Sequence, residues 1–163
     1  MDGPLDMAPI ESRITPRLVD SLYSEALLLA DEARAYFDQA GREEQRALDP
    51  FARVGFACES LKVTTRIMHI VAWLLTQRAI ESGELQGAGG SRPERRLGRA
   101  NDSDDELVAR LPETARRLIA ASIDLYARVS RLDEGQTAGD APLSPARALM
   151  GRLERDLRAP PAP

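Results

Sequence analysis

The chain has 163 residues, a formal net charge of -4, one cysteine and one histidine. This length suits a single domain with its own core, and the acidic balance excludes a general affinity for nucleic acid or anionic membranes, since both need a positive surface. No window resembles a secretory signal or a membrane span, and Cys58 has no second cysteine with which to pair. We therefore expect a cytoplasmic protein.

The N-terminal part predicts an arm followed by a helix. Residues 1–14 carry prolines and scattered charge without a helical period, which predicts a mobile arm. A helix from Thr15 to about Gln39 is predicted, because Thr15 suits an N-cap and Pro16 fits the first turn. Gly41 is the expected C-cap. The apolar positions recur at helical spacing and comprise Val19, Leu22, Ala26, Leu29, Ala33 and Tyr36.

The middle of the chain, residues 51–81, predicts the longest helix, with Asp49 as its N-cap and Gly83 just past its end. Two apolar stripes run along nearly opposite sides of it. The first stripe has a/d spacing and is predicted to pack in a bundle; it comprises Val54, Cys58, Leu61, Thr65, Met68, Ala72, Leu75 and Ala79. The second stripe would then face water, so we predict a homodimer through Phe56, Val63, Ile67, Ile70 and Leu74.

A polar seam lies between the two stripes, and Gln77 is one of its members. Its charged and amide groups need water or partners, which makes the seam the candidate partner-binding surface. The candidate residues are Glu59, Lys62, Arg66, His69 and Trp73. The like charges of Lys62 and Arg66, one turn apart, favour an acidic partner.

Each seam residue also has a purely structural interpretation. Arg66 would pair with an acidic residue of a neighbouring helix and only support the fold. Trp73 would pack in the core or in a dimer. Glu59 and Lys62 would form an ordinary helix-surface pair, and His69 would be a partly packed polar residue and not a pH sensor.

The C-terminal half predicts a flexible loop, a third long helix and a tail. Glycine and arginine dominate residues 84–102, which predicts a flexible basic loop. Ser103 to Glu106 matches a capping box for a short helix, and Pro112 suits the first turn of the next one, which is predicted to stop by Gly135. Residues 135–163 are expected to form a mobile tail with a short helix over 145–157. Its apolar face, centred on Leu149, Met150 and Leu153, is a candidate partner-binding element.

Catalytic and metal-binding patterns are absent from the sequence. With one histidine and one cysteine, the chain lacks the usual nitrogen and sulfur ligands of a metal site, and no glutamate stands three residues before His69 as a carboxylate-bridged bundle requires. The glycines at 87–90 lack the Lys-Ser/Thr pair of a phosphate loop. We therefore predict no enzyme, no cofactor, no metal and no catalytic residues.

The central helix resembles a known protein family. Its residues CESLKVTTRIMHIVAWLLTQRAIESGEL are similar to the signature helix of the alphaproteobacterial regulator of CtrA degradation (RcdA) family. The likeness is carried by Glu59, Ser60, Leu61, Thr64, Thr65, Arg66, Trp73, Leu74, Gln77, Arg78, Gly83 and Glu84. It is strong over about thirty residues and looser over the flanking helices.

The resemblance implies a non-enzymatic adaptor that helps to deliver cell-cycle regulatory proteins to the ClpXP protease. The implied partners are ClpXP, a response regulator, a cyclic-di-GMP-binding co-adaptor and the substrate proteins. One alternative is a structural homodimerisation or scaffold protein with no protease role, and a weaker one is a helical DNA-associated regulator. We expect no membrane and no nucleic-acid partner.

Together these features predict an all-α fold. The predicted architecture is an antiparallel three-helix bundle over residues 15–134, with the mobile arm before it and the mobile tail after it.

Overall fold

The structure, a computed structural model, describes residues 14–86 and 92–140, and this part of the chain is an all-α bundle, as predicted. Three helices are long: α1 (Pro16–Ala35), α3 (Pro50–Glu81) and α5 (Glu113–Asp140). Two are short, α2 (Arg42–Ala47) and α4 (Asp105–Ala109). The predicted arm up to residue 13 and the predicted tail helix with Leu149, Met150 and Leu153 lie outside the described residues.

The predicted helix starts are confirmed by their caps. The Thr15 hydroxyl accepts a hydrogen bond from the Leu18 amide at 3.2 Å, and the Asp49 carboxylate accepts one from the Ala52 amide at 3.0 Å. A proline follows each cap, where its missing N–H is not needed. Gly83 has a φ of 78°, a left-handed conformation that glycine adopts at low cost, so it ends α3 as predicted.

α1 ends differently from the prediction. One π-helical turn, Tyr36–Ala40, follows it, and Gly41 has a φ of -80°, so it is not a left-handed cap. A Cβ on Gly41 would lie 2.9 Å from the Tyr36 ring, so the glycine is needed for close approach. The Tyr36 hydroxyl donates to Glu44 at 2.5 Å, and burial, with the Glu44 carboxylate, raises the pKa of Tyr36 above its ordinary value.

The two stripes of α3 have exchanged the places that we predicted for them. The second stripe forms the core of the single chain, so its assignment as a dimer surface is wrong; Phe56, Val63, Ile67, Ile70 and Leu74 are all buried. The first stripe lies outside, with Leu61 67% and Met68 64% exposed. Both stripes have helical spacing, and the second carries the larger and β-branched side chains, which bury more apolar area against α1 and α5.

The predicted antiparallel arrangement is found between α1 and each of the other two long helices, but not between α3 and α5. α5 runs parallel to α3, because successive contacts advance together along both helices: Arg66 with Ser122, Trp73 with Asp133, and Gln77 with Gln136. α1 is antiparallel to both, as Arg78 pairs with Asp20 and Arg117 with Glu32. The described part of the connection that follows residue 91, residues 92–112, therefore returns along the bundle before α5 begins. α5 also continues past Gly135, where we predicted its end.

The exchange of the stripes can be tested with two substitutions on one helix. We expect Ile70→Ala to lower the free energy of unfolding by about 2–5 kcal/mol, since it leaves a cavity in the core. Leu61→Ala, the matched control on the exposed stripe, should change it by less than about 0.5 kcal/mol. Urea denaturation followed by circular dichroism measures both, and a larger loss for Leu61→Ala would contradict the observed packing.

Candidate functional site: the polar seam and the strap that covers it

Residues 96–103, which we call the strap, lie across the polar seam of α3. Four seam residues are buried beneath the strap and α5: Glu59, Arg66, Trp73 and Gln77. Lys62 keeps 25% of its side-chain exposure, and His69 is half-buried. Most members of the seam are therefore not exposed for direct contact with a partner while the strap is in place. The predicted flexible loop is also replaced here by a segment fixed to the bundle.

Glu59 and Arg66 are joined through Ser103 of the strap. The Ser103 hydroxyl donates to Glu59 Oε2 at 2.5 Å and accepts a hydrogen bond from Arg66 Nη2 at 2.8 Å. Arg66 also donates to the Asn101 carbonyl at 2.9 Å and, from Nη1, to the Ser122 hydroxyl at 3.2 Å. One guanidinium thus connects α3, the strap and α5.

The charges of this network are balanced inside the chain. Burial lowers the pKa of Arg66, and the carboxylates of Glu59 and Asp102 oppose that shift. A guanidinium stays protonated in proteins, so Arg66 remains a buried cation that needs these partners. Lys62 Nζ lies 2.9 Å from Glu59 Oε1 and supplies a second positive charge. The carboxylate of Glu59 therefore stabilises both Lys62 and Arg66, which explains their like charges without an external partner.

A second set of contacts lies about two and three turns beyond Arg66 along the seam. Trp73 Nε1 donates to Asp133 Oδ1 at 2.9 Å, and Arg96 of the strap donates to Asp133 Oδ2 at 2.9 Å. The Gln136 amide donates to the Gln77 side-chain oxygen at 2.7 Å. Trp73 is 2% exposed, so it packs in the core, which was the structural interpretation of this residue.

Between these two sets the strap passes directly over His69. A Cβ on Gly98 would lie 2.7 Å from the His69 ring, and the Gly98 carbonyl accepts a hydrogen bond from the Tyr126 hydroxyl at 2.7 Å. His69 Nδ1 is buried and has no hydrogen-bond partner within the part of the chain that the structure describes. Gly98 is therefore required by close packing.

The seam thus acts first as the internal attachment of the strap. Arg66 takes the supporting role that was the alternative to partner binding, although its hydrogen bonds go to two serines and a backbone carbonyl and not to an acidic residue of a neighbouring helix. Partner binding by Glu59, Arg66, His69 or Trp73 would need the strap to leave. Lys62 is the most accessible seam cation, and its role in partner binding stays a prediction.

The surface that sequence reasoning missed is the exposed first stripe of α3. Its large members are Val54, Leu61, Met68 and Leu75, and Phe51 extends it at the start of the helix, 65% exposed. A groove of about 440 Å³ lies beside it, between α1 and α3, and is lined by Phe37, Leu61 and Met68 among others. The signal was in the sequence as helical spacing, but periodicity alone did not show which stripe faced water.

Residues 14–86 and 92–140 contain neither a metal-binding cluster nor a membrane-spanning helix. No group of three or more histidine, cysteine or acidic side chains there is arranged to hold a metal ion. No helix in the described ranges is long and apolar enough to cross a membrane.

The fold and the seam define a helical-bundle protein whose central polar groups bind its own connecting segment. Residues 10–157 match a family described as a protein of unknown function, DUF1465. The crystal structure of RcdA from Caulobacter crescentus CB15 is similar, with a TM-score of 0.60 and 31% sequence identity over 79% of this chain and 98% of that chain. Comparison with curated proteins gave no match.

The chain belongs to the DUF1465 family, which is the family of RcdA, and the resemblance seen in the central helix is confirmed.

The buried charge network predicts a large effect of Arg66→Met. The substitution leaves Glu59 buried with fewer partners, so we expect a loss of about 3–5 kcal/mol in the free energy of unfolding. Arg116→Met, at an exposed position of α5, should cost less than about 0.5 kcal/mol. The double variant Glu59→Leu with Arg66→Met should recover much of the loss, since neither charge of the buried pair remains. Equal stability of the Arg66→Met and Arg116→Met variants would contradict a stabilising role of the network.

The contact of the strap with His69 gives a separate prediction. Gly98→Ala forces a methyl group against the imidazole and should lower stability by about 1–3 kcal/mol, as overpacking does. His69→Ala opens space for that methyl, so the double variant should lose less than the sum of the two single losses. Thermal denaturation of all four proteins gives the coupling. Additive losses would show that the strap does not press on His69.

Proposed function

We propose that this protein is a non-enzymatic cytoplasmic adaptor that helps to deliver cell-cycle regulatory proteins to the ClpXP protease. The observation that carries the proposal is the similarity to RcdA, which extends over 98% of that chain. In this proposal the protein works with a response regulator and a cyclic-di-GMP-binding co-adaptor, and it binds its substrate proteins directly. Neither a membrane nor nucleic acid is a partner.

The distribution of apolar and polar groups supports a binding role over a catalytic one. Catalysis needs a nucleophile, base or metal in reach of a substrate. In the described residues Glu59, Lys62 and Arg66 of the seam are instead hydrogen-bonded to one another or to the strap. Several of the large exposed side chains of α3 are apolar, and contiguous exposed apolar surface is typical of protein–protein contact.

We also propose that the protein forms a homodimer and that the exposed first stripe is its contact surface. The stripe runs along a 32-residue helix, which is about 48 Å long, so two copies crossing on it bring several large side chains together. Met68 is suited to such a surface, because its flexible thioether adapts to different partners. This replaces the second stripe, which the core occupies.

The alternative function is a structural homodimer or scaffold with no role in proteolysis. It accounts for the exposed stripe equally well, but it does not use the similarity to RcdA to explain the function. The two proposals differ in one respect that can be measured, the effect of the protein on substrate degradation.

The test is reconstituted degradation of a candidate cell-cycle regulator by ClpXP, with and without this protein and with both co-adaptors present. We expect faster degradation with the protein, and the Met68→Asp variant should lose most of this effect while keeping its helical circular dichroism, because an exposed charge blocks apolar contact without entering the core. Leu18→Asp, 38% exposed at the start of α1, is the matched control.

Light scattering of the same variants separates the two functions. No acceleration by the wild-type chain, together with a dimer that Met68→Asp disrupts, would favour the scaffold. Acceleration that Met68→Asp leaves unchanged would exclude the stripe as the delivery surface. A monomeric wild-type chain at micromolar concentration would exclude the dimer.

A further inference from the structure

A second groove, of about 600 Å³, lies between the strap and α5, and Arg66 of the seam is one of the residues that line it. We call it the α5 groove. Its α5 side carries Ile123, Tyr126 and Ala127, and Ile123 is 42% exposed. Its rim carries three carboxylates, from Asp102, Asp105 and Glu134.

The rim of the α5 groove favours a cationic occupant. Neither Asp102 nor Asp105 forms an ion pair with any side chain in the described ranges, and Glu134 has only the Ser130 hydroxyl, at 3.2 Å. Arg131 supplies one opposing charge, and Arg66 lies at the bottom, already bound to Ser103. An apolar floor with a mainly acidic rim suits a segment that has both apolar and basic side chains.

The chain itself contains such a segment beyond α5. Its sequence from 144 to 158 is SPARALMGRLERDLR, which contains four arginines and two acidic residues and is therefore net positive. The apolar residues recur at spacings of three and four, as on one face of a helix, and include Leu149, Met150 and Leu153. The arginines at 147, 152, 155 and 158 lie between them.

The segment is also within reach. Ala127 is thirteen positions before Asp140, the end of α5, so it lies about 20 Å back along the helix. Leu149 is nine positions after Asp140. An extended chain spans up to about 3.3 Å per residue, so this length of chain can exceed the distance of about 20 Å. A short tether also holds the segment near the groove at an effective concentration in about the millimolar range, so weak contacts suffice.

We propose that residues 145–157 bind in the α5 groove of their own chain, with Leu149, Met150 and Leu153 against its apolar floor and the arginines at its acidic rim. A partner that uses the same apolar face must then displace it from the groove. The groove between α1 and α3 suits this segment less well, because its charged residues, Arg34 and Asp38, balance each other. The proposal does not depend on the adaptor function.

The test uses the full chain with a photo-crosslinking amino acid, p-benzoylphenylalanine, placed at Ala127. We expect crosslinks within one chain to residues 145–157, mapped by mass spectrometry of the monomeric band. A probe at Ala72, on the exposed stripe of α3, is the matched control and should give few of these products. A second probe at Ile123 covers the case in which the bulky group at Ala127 disturbs folding.

Charge variants test the role of the rim. Asp102→Asn with Glu134→Gln should lower the crosslink yield at least about threefold, since exposed charge pairs contribute modestly but additively. Asp31→Asn with Glu43→Gln removes the same charge from exposed positions elsewhere and should leave the yield unchanged. Circular dichroism checks that both pairs of variants keep their helical content.

Three results would overturn the proposal. The first is a yield at Ala127 and Ile123 no higher than at Ala72. The second is crosslinks that join two chains, which would place the segment of a second copy in the groove. The third is an intrachain yield that is insensitive to both the rim substitutions and salt, since attraction between exposed charges is screened within about 10 Å at 0.1 M salt.

Discussion

Two buried charges in the middle of the bundle, Glu59 and Arg66, need hydrogen-bond partners, and much of the surrounding structure supplies them. A buried ion that loses its partner costs several kcal/mol, so each needs hydrogen bonds as well as an opposite charge. The two residues are seven positions apart on one face of α3, and Ser103 fills the space between them. The strap is therefore fixed by the need to complete this pair.

The parallel arrangement of α3 and α5 makes that completion possible. An alternating bundle needs only a short turn between its second and third helices, whereas parallel neighbours need a connection that returns along their length. Here the returning segment crosses the seam and is held at three levels. Ser103 binds Glu59 of the seam, Gly98 packs on His69 and accepts a hydrogen bond from Tyr126 of α5, and Arg96 binds Asp133 of α5. α5 completes the enclosure with Ser122 and Asp133, so the seam, the strap and the helix order depend on one another.

The sequence predicted the helices more reliably than their environment. Caps at Thr15 and Asp49, and the glycine at 83, act over a few residues and could be read directly. The buried face of α3 could not, because two stripes had helical spacing and only tertiary contacts decide between them. Gly55 is a related case: a Cβ there would lie 2.5 Å from the Leu107 side chain of α4, a long-range contact that no local pattern shows.

Long-range contacts also explain why the sequence predicts a partner-binding surface at the seam. A polar stripe on a long helix is usually solvated, but this one is covered by a segment whose glycines and arginines predicted flexibility. Once the second stripe and the seam are both buried within the chain, the first stripe has no packing role left. Large apolar side chains such as Leu61 and Met68 do not stabilise the fold from an exposed position, and they lower solubility. Contact with another protein surface gives them a physical role that folding does not.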